Sequence, residues 1–512
     1  MPNQDVAATW EYHDGTKHTY ESVWRGPRTL DWPNQPIPYK IYTTLEPIPL
    51  PRDFPPSALP ALDAIAGDAD AADSERVPDL AAVARLCYFA NGVTKHLRTF
   101  AGEMAFRAAS CTGALYHIEL YFACADLRDL AAGLYHYGAH DHALRLLRAG
   151  DFRAVLVEAT GGEPATAAAP LVFACTSTFW RNAWKYRARA YRHVYWDSGT
   201  ILANFLAEAT ALRLPARIVL GFADAAVNEL LDVDPAREAA VSLVPVGRGG
   251  PPPPPAPPRP PLGLPTERLS PREIDYPAIR AMHTASSLAS GAEAAAWRGA
   301  PPLQPLPPPA GPLVPLRPLP PDAEPRDPIE TVILRRGSSR RFRREPIGFE
   351  QLSTLLARTT RPLPLDCADA ATSPLSTPYL IVNAVDGLAA GSYVFHADRA
   401  ALEQLRAGDF RDVAGDLDLG QELAADAAVN VYFLTDLRPL LARFGNRGYR
   451  AAQLGAAITA GKLYLAAYAL GLGATGLTFF DDAVTAFFSP HAAGKSVLFL
   501  LAVGHPARRA PG

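Results

Sequence analysis

The heptapeptide LRAGDFR occurs twice in the chain, at residues 147–153 and again at 405–411, 258 positions later. If it marks a copied domain, other residues must keep the same offset. Gly133 and Tyr135 return as Gly391 and Tyr393, Leu144 as Leu402, and Tyr191-Arg192 as Tyr449-Arg450. Further along, Leu212, Phe222 and Asp224 return as Leu470, Phe480 and Asp482, so the register runs on from Tyr121/Tyr379. Duplicated folds leave this trace because core spacing tolerates substitution better than insertion. The chain reads as two homologous domains.

Composition bounds the function classes. With 512 residues, 48% hydrophobic and 20% charged, the chain can bury large cores. A net charge of −3 gives no field for nucleic acid or an anionic membrane, and the basic run at 335–344 is local and mixed with apolar residues. The five cysteines (Cys87, Cys111, Cys124, Cys175, Cys367) form no CxxC pair and suit a reducing cytosol. The opening MPNQDVAATWEYHDG lacks a basic-then-apolar signal pattern, and no uncharged apolar stretch reaches membrane-spanning length. These features predict a soluble cytoplasmic protein without nucleic-acid or membrane partners.

Along the chain, residues 1–60 are rich in Pro, Trp and Tyr and read as an extension wrapped on the first domain, 61–248. In that domain DLAAVARLCYFANGV predicts a helix, IELYFACA (118–125) a strand, HALRLLRAG a helix, VYWDSGTILANFLAEATALRL (194–214) a long core helix and ARIVLGF a strand. QLGAAITAGKLYLAAYALGL (453–472) is apolar nearly all round and must be buried in a core or an interface. Residues 249–327 contain PPPPPAPPRPP and read as a semi-rigid polyproline connector, with one short docked helix in PREIDYPAIRAMHTASSL. The second domain is 328–512.

At its start, RRGSSRRFRREPIGFEQLSTLL places Arg336, Ser338 and Arg340 on one irregular segment. Such residues can converge on an anion through charge-assisted bonds, or they can form a solvated basic stretch. This segment resembles the opening motif of the nitroreductase flavoprotein family, in which such residues hold the phosphate and ribityl chain of flavin mononucleotide (FMN). The first copy is similar to the SagB/ThcOx-type, McbC-like azoline dehydrogenases of that family through RAASCTGALYHIELY, AGLYHY, WKYRARAYRHVYWDSGTILANFLAEATAL and VLGFADAAVNELL. The resemblance covers most of 80–248 and 328–506.

The resemblance implies an α+β fold: two tandem nitroreductase-like domains forming an intramolecular pseudo-dimer, with flavin at the interface. It also makes the differences between the copies informative. The first copy keeps the Gly-Ala-Leu-Tyr loop at 113–116, where the second has residues 371–374; the second has the phosphate motif, which the first lacks. One composite FMN site is therefore expected. Its residues are Arg336, Ser338, Arg340, Gly476 and Leu477 from the second copy, and Ser110, Cys111, Gly113, Ala114 and Tyr116 from the first. Ser110-Cys111 stands where the family usually has Pro-Ser. Arg508 and Arg509 are weaker phosphate candidates.

In the resembling azoline dehydrogenases a Lys-Tyr pair serves proton removal, which marks Lys185 and Tyr186 as catalytic. Lysine can be neutral when desolvated, as a general base requires, whereas a pair on a basic helix can equally face water. The second copy has Arg443-Phe444 instead, and neither can act as a base near neutral pH. His136, His140 and His142 crowd one turn, but loop spacing does not make a zinc site, and no metal is expected. The implied function is oxidation of thiazoline or oxazoline rings in a ribosomally made peptide, with a cyclodehydratase as partner. Alternatives are a nitroreductase or quinone reductase using NAD(P)H, and a flavin-free peptide-binding subunit. Further dimerisation of the fused pair is compatible with either enzyme.

Overall fold

The computed structural model describes residues 2–25, 29–67, 76–99, 102–299, 308–368 and 375–507. Two antiparallel sheets carry the repeat. In the first, five strands run in the order Ala143–Ala149, Gly133–Gly138, Ile118–Cys124, Leu171–Thr178, Glu238–Val246; in the second, Ala401–Ala407, Gly391–His396, Thr377–Val382, Val429–Thr435, Ser496–Pro506. Four of the five second-copy strands begin 258 residues after their counterparts, and the helix Leu437–Phe444 begins 258 after Phe179–Tyr186. Each sheet is extended on the same edge by a short strand from the Pro-rich chain before it, Ile48–Pro49 on the first and Leu313–Pro315 on the second.

The halves meet through their long helices, Ala190–Ala211 and Arg447–Ala469. Small residues bring the backbones close: a Cβ at Gly199 would stand 2.5 Å from that of Ala457, and one at Gly461 would stand 2.6 Å from that of Ala203. This contact explains the all-round apolar character of 453–472, since each helix has its own sheet on one side and the other helix on the other. One large hydrophobic core runs through both halves, beside a smaller cluster within the first half and a minor one within the second. The expected intramolecular pseudo-dimer is the observed architecture.

Reciprocal ion clusters flank the crossing. Arg447 and Arg450 donate to Asp224 at 2.6 and 2.7 Å, and Arg189 and Arg192 donate to Asp481 at 3.0 and 2.5 Å. The counterpart of Asp224 is thus Asp481, not Asp482 as the constant offset predicts. Both carboxylates open a helix, Asp224–Leu231 and Asp481–Phe488, and the backbone before each makes the same bond, Ala223 N–H to the Ala159 carbonyl and Phe480 N–H to the Leu417 carbonyl.

The repeat extends beyond the sheets. Helix Ala7–Gly15 of the N-terminal extension and helix Pro277–Ala285 of the connector lie 270 residues apart and make matching contacts. Arg192 donates to the Thr16 hydroxyl and the His13 carbonyl; Arg450 donates to the Ser286 hydroxyl and the His283 carbonyl. The His18 amide caps Asp481 and the Leu288 amide caps Asp224, each at 2.9 Å. The docked connector helix is the second copy of the N-terminal one.

Three local expectations differ from the structure. HALRLLRAG is a strand, Ala143–Ala149, despite helix-favouring Ala, Leu and Arg, because it is paired on both edges and tertiary pairing overrides propensity. ARIVLGF is not a strand of the sheet; Ala216, Ile218 and Val219 make isolated bridges to Val246, Leu365 and Leu243, spanning both halves. The first predicted helix ends at Asn91 and is followed by a hairpin, Val93–Thr99 with Gly102–Arg107, that has no counterpart among the described residues of the second half.

Candidate functional site

Lys185 and Tyr186 end the helix Phe179–Tyr186, which stops because Arg187 takes φ 51°, ψ −137°, a conformation costly for a non-glycine residue. Its counterpart Gly445 takes φ 64°, ψ −159° without that cost. The Lys185 ammonium lies 5.2 Å from the Tyr186 ring centroid. Against the pair lies the loop 110–116, with Gly113 at φ 63°; a Cβ there would stand 2.9 Å from the Tyr186 hydroxyl and 3.4 Å from Lys185 Cδ. Only glycine allows this approach.

Asp197, in the middle of the first long helix, fixes that loop. Its carboxylate accepts the Thr112 amide at 2.9 Å, the Thr112 hydroxyl at 2.6 Å and the Cys111 thiol at 3.1 Å, and it bonds His117 Nε2 at 2.8 Å. Cys111 also accepts the Tyr116 amide at 3.1 Å, and the Ser110 carbonyl accepts the Thr200 hydroxyl at 2.7 Å. Burial, reinforced by Asp197, pushes the Cys111 thiol well above the usual range, so it is a neutral tie within the loop. Ala114 (φ 55°) and Tyr116 (φ 46°) hold the tight turn.

The second half supplies the facing wall. Arg336 reaches across and donates Nε and Nη2 to the Ala108 carbonyl at 3.0 and 2.9 Å, with its guanidinium 5.4 Å from the Tyr464 ring centroid. The Tyr464 hydroxyl donates to Ser338 Oγ at 2.7 Å. Arg340 is exposed, yet close enough to Lys185 to act on its charge. Gly476 ends the strand Gly473–Gly476, and the Leu477 amide bonds the Leu500 carbonyl. From there a chain of rings leads back to the Lys-Tyr pair: a Cβ at Gly476 would lie 3.6 Å from the Phe499 ring, Phe499 meets Trp196 at 5.5 Å, Trp196 meets His193 at 4.8 Å and His193 meets Tyr186 at 4.5 Å. Residues expected from both copies thus converge on one surface.

Electrostatics separates the roles of the pair. Partial burial and then the positive charge of Arg340 lower the Lys185 pKa, favouring its neutral amine. Burial, with Asp197 and Cys111 nearby, raises that of Tyr186, which stays a neutral hydroxyl. Lys185 is the group suited to accept a proton and Tyr186 the group suited to donate a hydrogen bond.

The residues fit a cofactor carrying a phosphate and a flat ring. Arg336 donates to the carbonyls of Arg107 and Ala108, and neither it nor Arg340 forms an ion pair with a carboxylate among the described residues, which leaves their charge for an anion such as a phosphate. Gly113, without a side chain, lets the loop backbone lie directly against Tyr186 and Lys185. The pseudo-symmetric place in the other half is closed by the chain itself. The Phe444 carbonyl accepts from the Asn3 side chain at 3.0 Å and from the Trp297 indole at 2.8 Å, and the Asp366 carboxylate accepts the amides of Leu220 and Gly221 at 2.8 Å each. Residues 371–374, 508 and 509, named above, lie outside the described residues.

Spacing did not reveal Asp197, His117, Asn182 or His193. Asn182 donates to the Thr112 hydroxyl at 2.7 Å and bonds His193 Nδ1 at 2.8 Å. One signal was present, the lone carboxylate in the apolar run VYWDSGTILANFL. Cys111, His117 and Asp197 stand within 4.8 Å of one another, the one such cluster among the described residues, and their hydrogen bonds to one another and to the loop account for it. His136, His140 and His142 have separate partners, Glu119, Asp141 and Tyr137. Among the described residues no helix is long and apolar enough to cross a membrane.

The Nitroreductase family model matches residues 80–248 and 333–505. Trifolitoxin-processing protein TfxB of Rhizobium leguminosarum bv. trifolii is 32% identical over 152 residues, which are 29% of this chain and 41% of that protein, so the match spans about two fifths of the relative's length. A solved structure from Anabaena variabilis, provisionally assigned as a nitroreductase, aligns over 98% of this chain and 99% of its own with TM-score 0.77 and 26% identity. The microcin synthetase McbBCD complex of E. coli aligns over 48% of this chain and 93% of the matched chain, with TM-score 0.31 and 17% identity.

Proposed function

The chain belongs to the nitroreductase family of oxidoreductases, and from that premise we propose that it is an FMN-dependent dehydrogenase that aromatises thiazoline or oxazoline rings within a peptide. The observation that carries this reading is the Lys185–Tyr186 pair held against Gly113 and under the charge of Arg340 from the other half. A simple flavin reductase needs no protein base, and a lysine biased toward its neutral form beside a neutral phenol is what proton abstraction requires. The likeness to a protein that processes trifolitoxin supports a role in maturing a peptide product.

In this reading Arg336, Ser338 and Arg340 would hold the phosphate of the flavin, and the 110–116 loop with Gly476 and Leu477 would supply the rest of its site. When bound, the flavin supplies the acceptor for the two electrons and one hydrogen that the azoline loses. Lys185 Nζ takes the other hydrogen as a proton, from the ring carbon alpha to the carbonyl. Tyr186 Oη donates a hydrogen bond that orients the substrate, and Asp197 keeps the loop fixed while this happens. A cyclodehydratase that forms the azoline is the matching partner.

The likeness along nearly the whole chain to a provisionally assigned nitroreductase favours one second reading, reduction of nitro compounds or quinones with NAD(P)H. A single experiment separates the two. The purified protein is expected to carry about one FMN per chain. Lys185→Ala and Tyr186→Phe should keep the visible flavin spectrum while lowering azoline-peptide oxidation about 10²–10⁴-fold, the usual worth of a positioned acid or base. Arg443→Ala should change neither. Wild-type oxidation rates in flavin-loaded Lys185→Ala would remove the base and leave the reductase reading.

A further inference from the structure

The matched N-terminal and connector segments do not end in the same state. After helix Ala7–Gly15 the chain forms a second helix, Tyr20–Arg25; after Pro277–Ala285 it forms Gly291–Arg298. Both close on the same tripeptide, Trp24-Arg25-Gly26 and Trp297-Arg298-Gly299. In the second copy this helix is docked: Ala294 and Trp297 are buried, the indole donates to the Phe444 carbonyl at 2.8 Å and its ring meets the Phe444 ring at 5.1 Å. Phe444 is the counterpart of Tyr186. In the first copy Trp24 is 69% exposed against 6% for Trp297, and helix Tyr20–Arg25 has no buried residue.

A six-residue helix is too short to be stable by propensity and needs a packed face. Its roots are already anchored beside the candidate site. Lys17 pairs with Asp482 at 2.9 Å, the His18 amide caps Asp481, and Tyr20 stacks on Phe480 with ring centroids 4.1 Å apart. Trp32, 62% exposed, sets its edge against Trp184, the residue before Lys185 in the chain. Trp24 and Trp32 are thus both exposed, and the internal copy, with Trp297 on Phe444, shows where the N-terminal helix would fit against Tyr186, the counterpart of Phe444.

The geometry points to Trp24 as a substrate-covering residue: with a flat heterocycle seated at Lys185 and Tyr186, helix Tyr20–Arg25 docks and the Trp24 indole covers the ring, as Trp297 covers Phe444. The second copy is the permanently closed form of this device, with Phe444 in place of the reactive phenol. The closing element itself is independent of the chemistry; the identity of the occupant, an azoline within a peptide, rests on the function proposed above.

The test uses the flavin-loaded full chain and hydrogen–deuterium exchange of the 20–25 amides, with a short thiazoline-bearing peptide as probe and menadione as a second flat probe. Saturating probe should slow exchange at these amides about tenfold or more in the wild type. Trp24→Ala should abolish that protection and raise KM for the peptide about tenfold with kcat little changed, and Trp24→Phe should recover part of both. Trp297→Ala, whose indole is buried elsewhere, should lower thermal stability and leave KM unaltered. Failure to oxidise the peptide, with either probe still protecting 20–25, would remove the azoline reading and keep the closure. Unchanged exchange with both probes bound, or an unchanged KM in Trp24→Ala, would overturn the closure itself.

Discussion

Asp224→Asn removes one charge from a carboxylate that holds the two halves together. Asp224 is 3% exposed and accepts from Arg447 at 2.6 Å, Arg450 at 2.7 Å and the Leu288 amide at 2.9 Å. Despite the opposing effect of burial, the two arginines hold its pKa down to about 2, against 3.8 ordinarily. A difference of about 2 units corresponds to stability on the order of 2–3 kcal/mol supplied by the charged form. Asparagine keeps the shape but leaves two buried guanidinium groups without a counter-charge, and breaking such a cluster costs about 3–5 kcal/mol. At about 2.1 cal/mol/K of unfolding entropy per residue, this chain has roughly 1.1 kcal/mol/K, so Tm at pH 7 should fall by about 3–5 °C.

The pH dependence fixes the cause. Because the folded pKa lies below the unfolded one, the stabilisation is fully present above about pH 5 and is lost as pH falls through 4 toward 2, with about half remaining at pH 3. Differential scanning at constant scan rate and ionic strength, at pH 7, 5, 4 and 3, should show the gap between wild type and variant constant down to pH 5 and then narrowing. A Tm change under 1 °C at pH 7, or a gap as wide at pH 3 as at pH 7, would refute the reasoning. Asp481→Asn breaks the reciprocal cluster and should destabilise similarly. Asp481 also stands beside the ring contacts of the candidate site, so Asp481→Asn should lose flavin on dialysis where Asp224→Asn retains it.

Two further outcomes concern the site. Arg340→Gln removes a positive neighbour of Lys185 and weakens the proposed phosphate site, so with excess FMN keeping the site filled the Lys185 pKa should rise and the ascending limb of the pH–rate profile for azoline oxidation should move to higher pH; a limb that stays in place would detach Arg340 from Lys185. Gly113→Ala places a Cβ 2.9 Å from the Tyr186 hydroxyl at a backbone φ of 63°, so it should cost about 1–2 kcal/mol and lower turnover more than tenfold while the far-ultraviolet circular dichroism is retained; wild-type turnover would show that the loop does not set the position of Tyr186.

The sequence by itself determined the duplication. Core spacing held a 258-residue register through strands and helices, so the two copies and their long core helices could be placed without coordinates, while the Lys185–Tyr186 pair was marked by the family resemblance. That register is also why Arg443-Phe444 could be recognised as the pair's altered counterpart. It could not show that Asp224 answers to Asp481, because a one-residue shift at a helix start is invisible in spacing and visible only in which arginines the carboxylate meets. Nor could it show that the N-terminal and connector helices are copies. Their shared contacts are made largely through backbone amides and carbonyls, which leave little side-chain signature, and the matching residues, His13/His283 and Thr16/Ser286, are sparse.

Tertiary structure alone decided three things. HALRLLRAG became a strand because neighbours on both edges offered ladder bonds that outweigh local propensity. Asp197 became the anchor of the 110–116 loop because folding brought together residues some 85 positions apart, a distance at which no local period operates. And the position that mirrors the Lys185–Tyr186 loop came to be filled by the chain's own Asn3, Trp297 and Asp366, residues distant from it in sequence, while the close crossing at Gly199/Ala457 and Ala203/Gly461 sets Arg336 of the second copy against the backbone of the first. Local spacing is written in a sequence because each residue feels its near neighbours; which loop faces which is set by the packing of whole helices, and that depends on all of them at once.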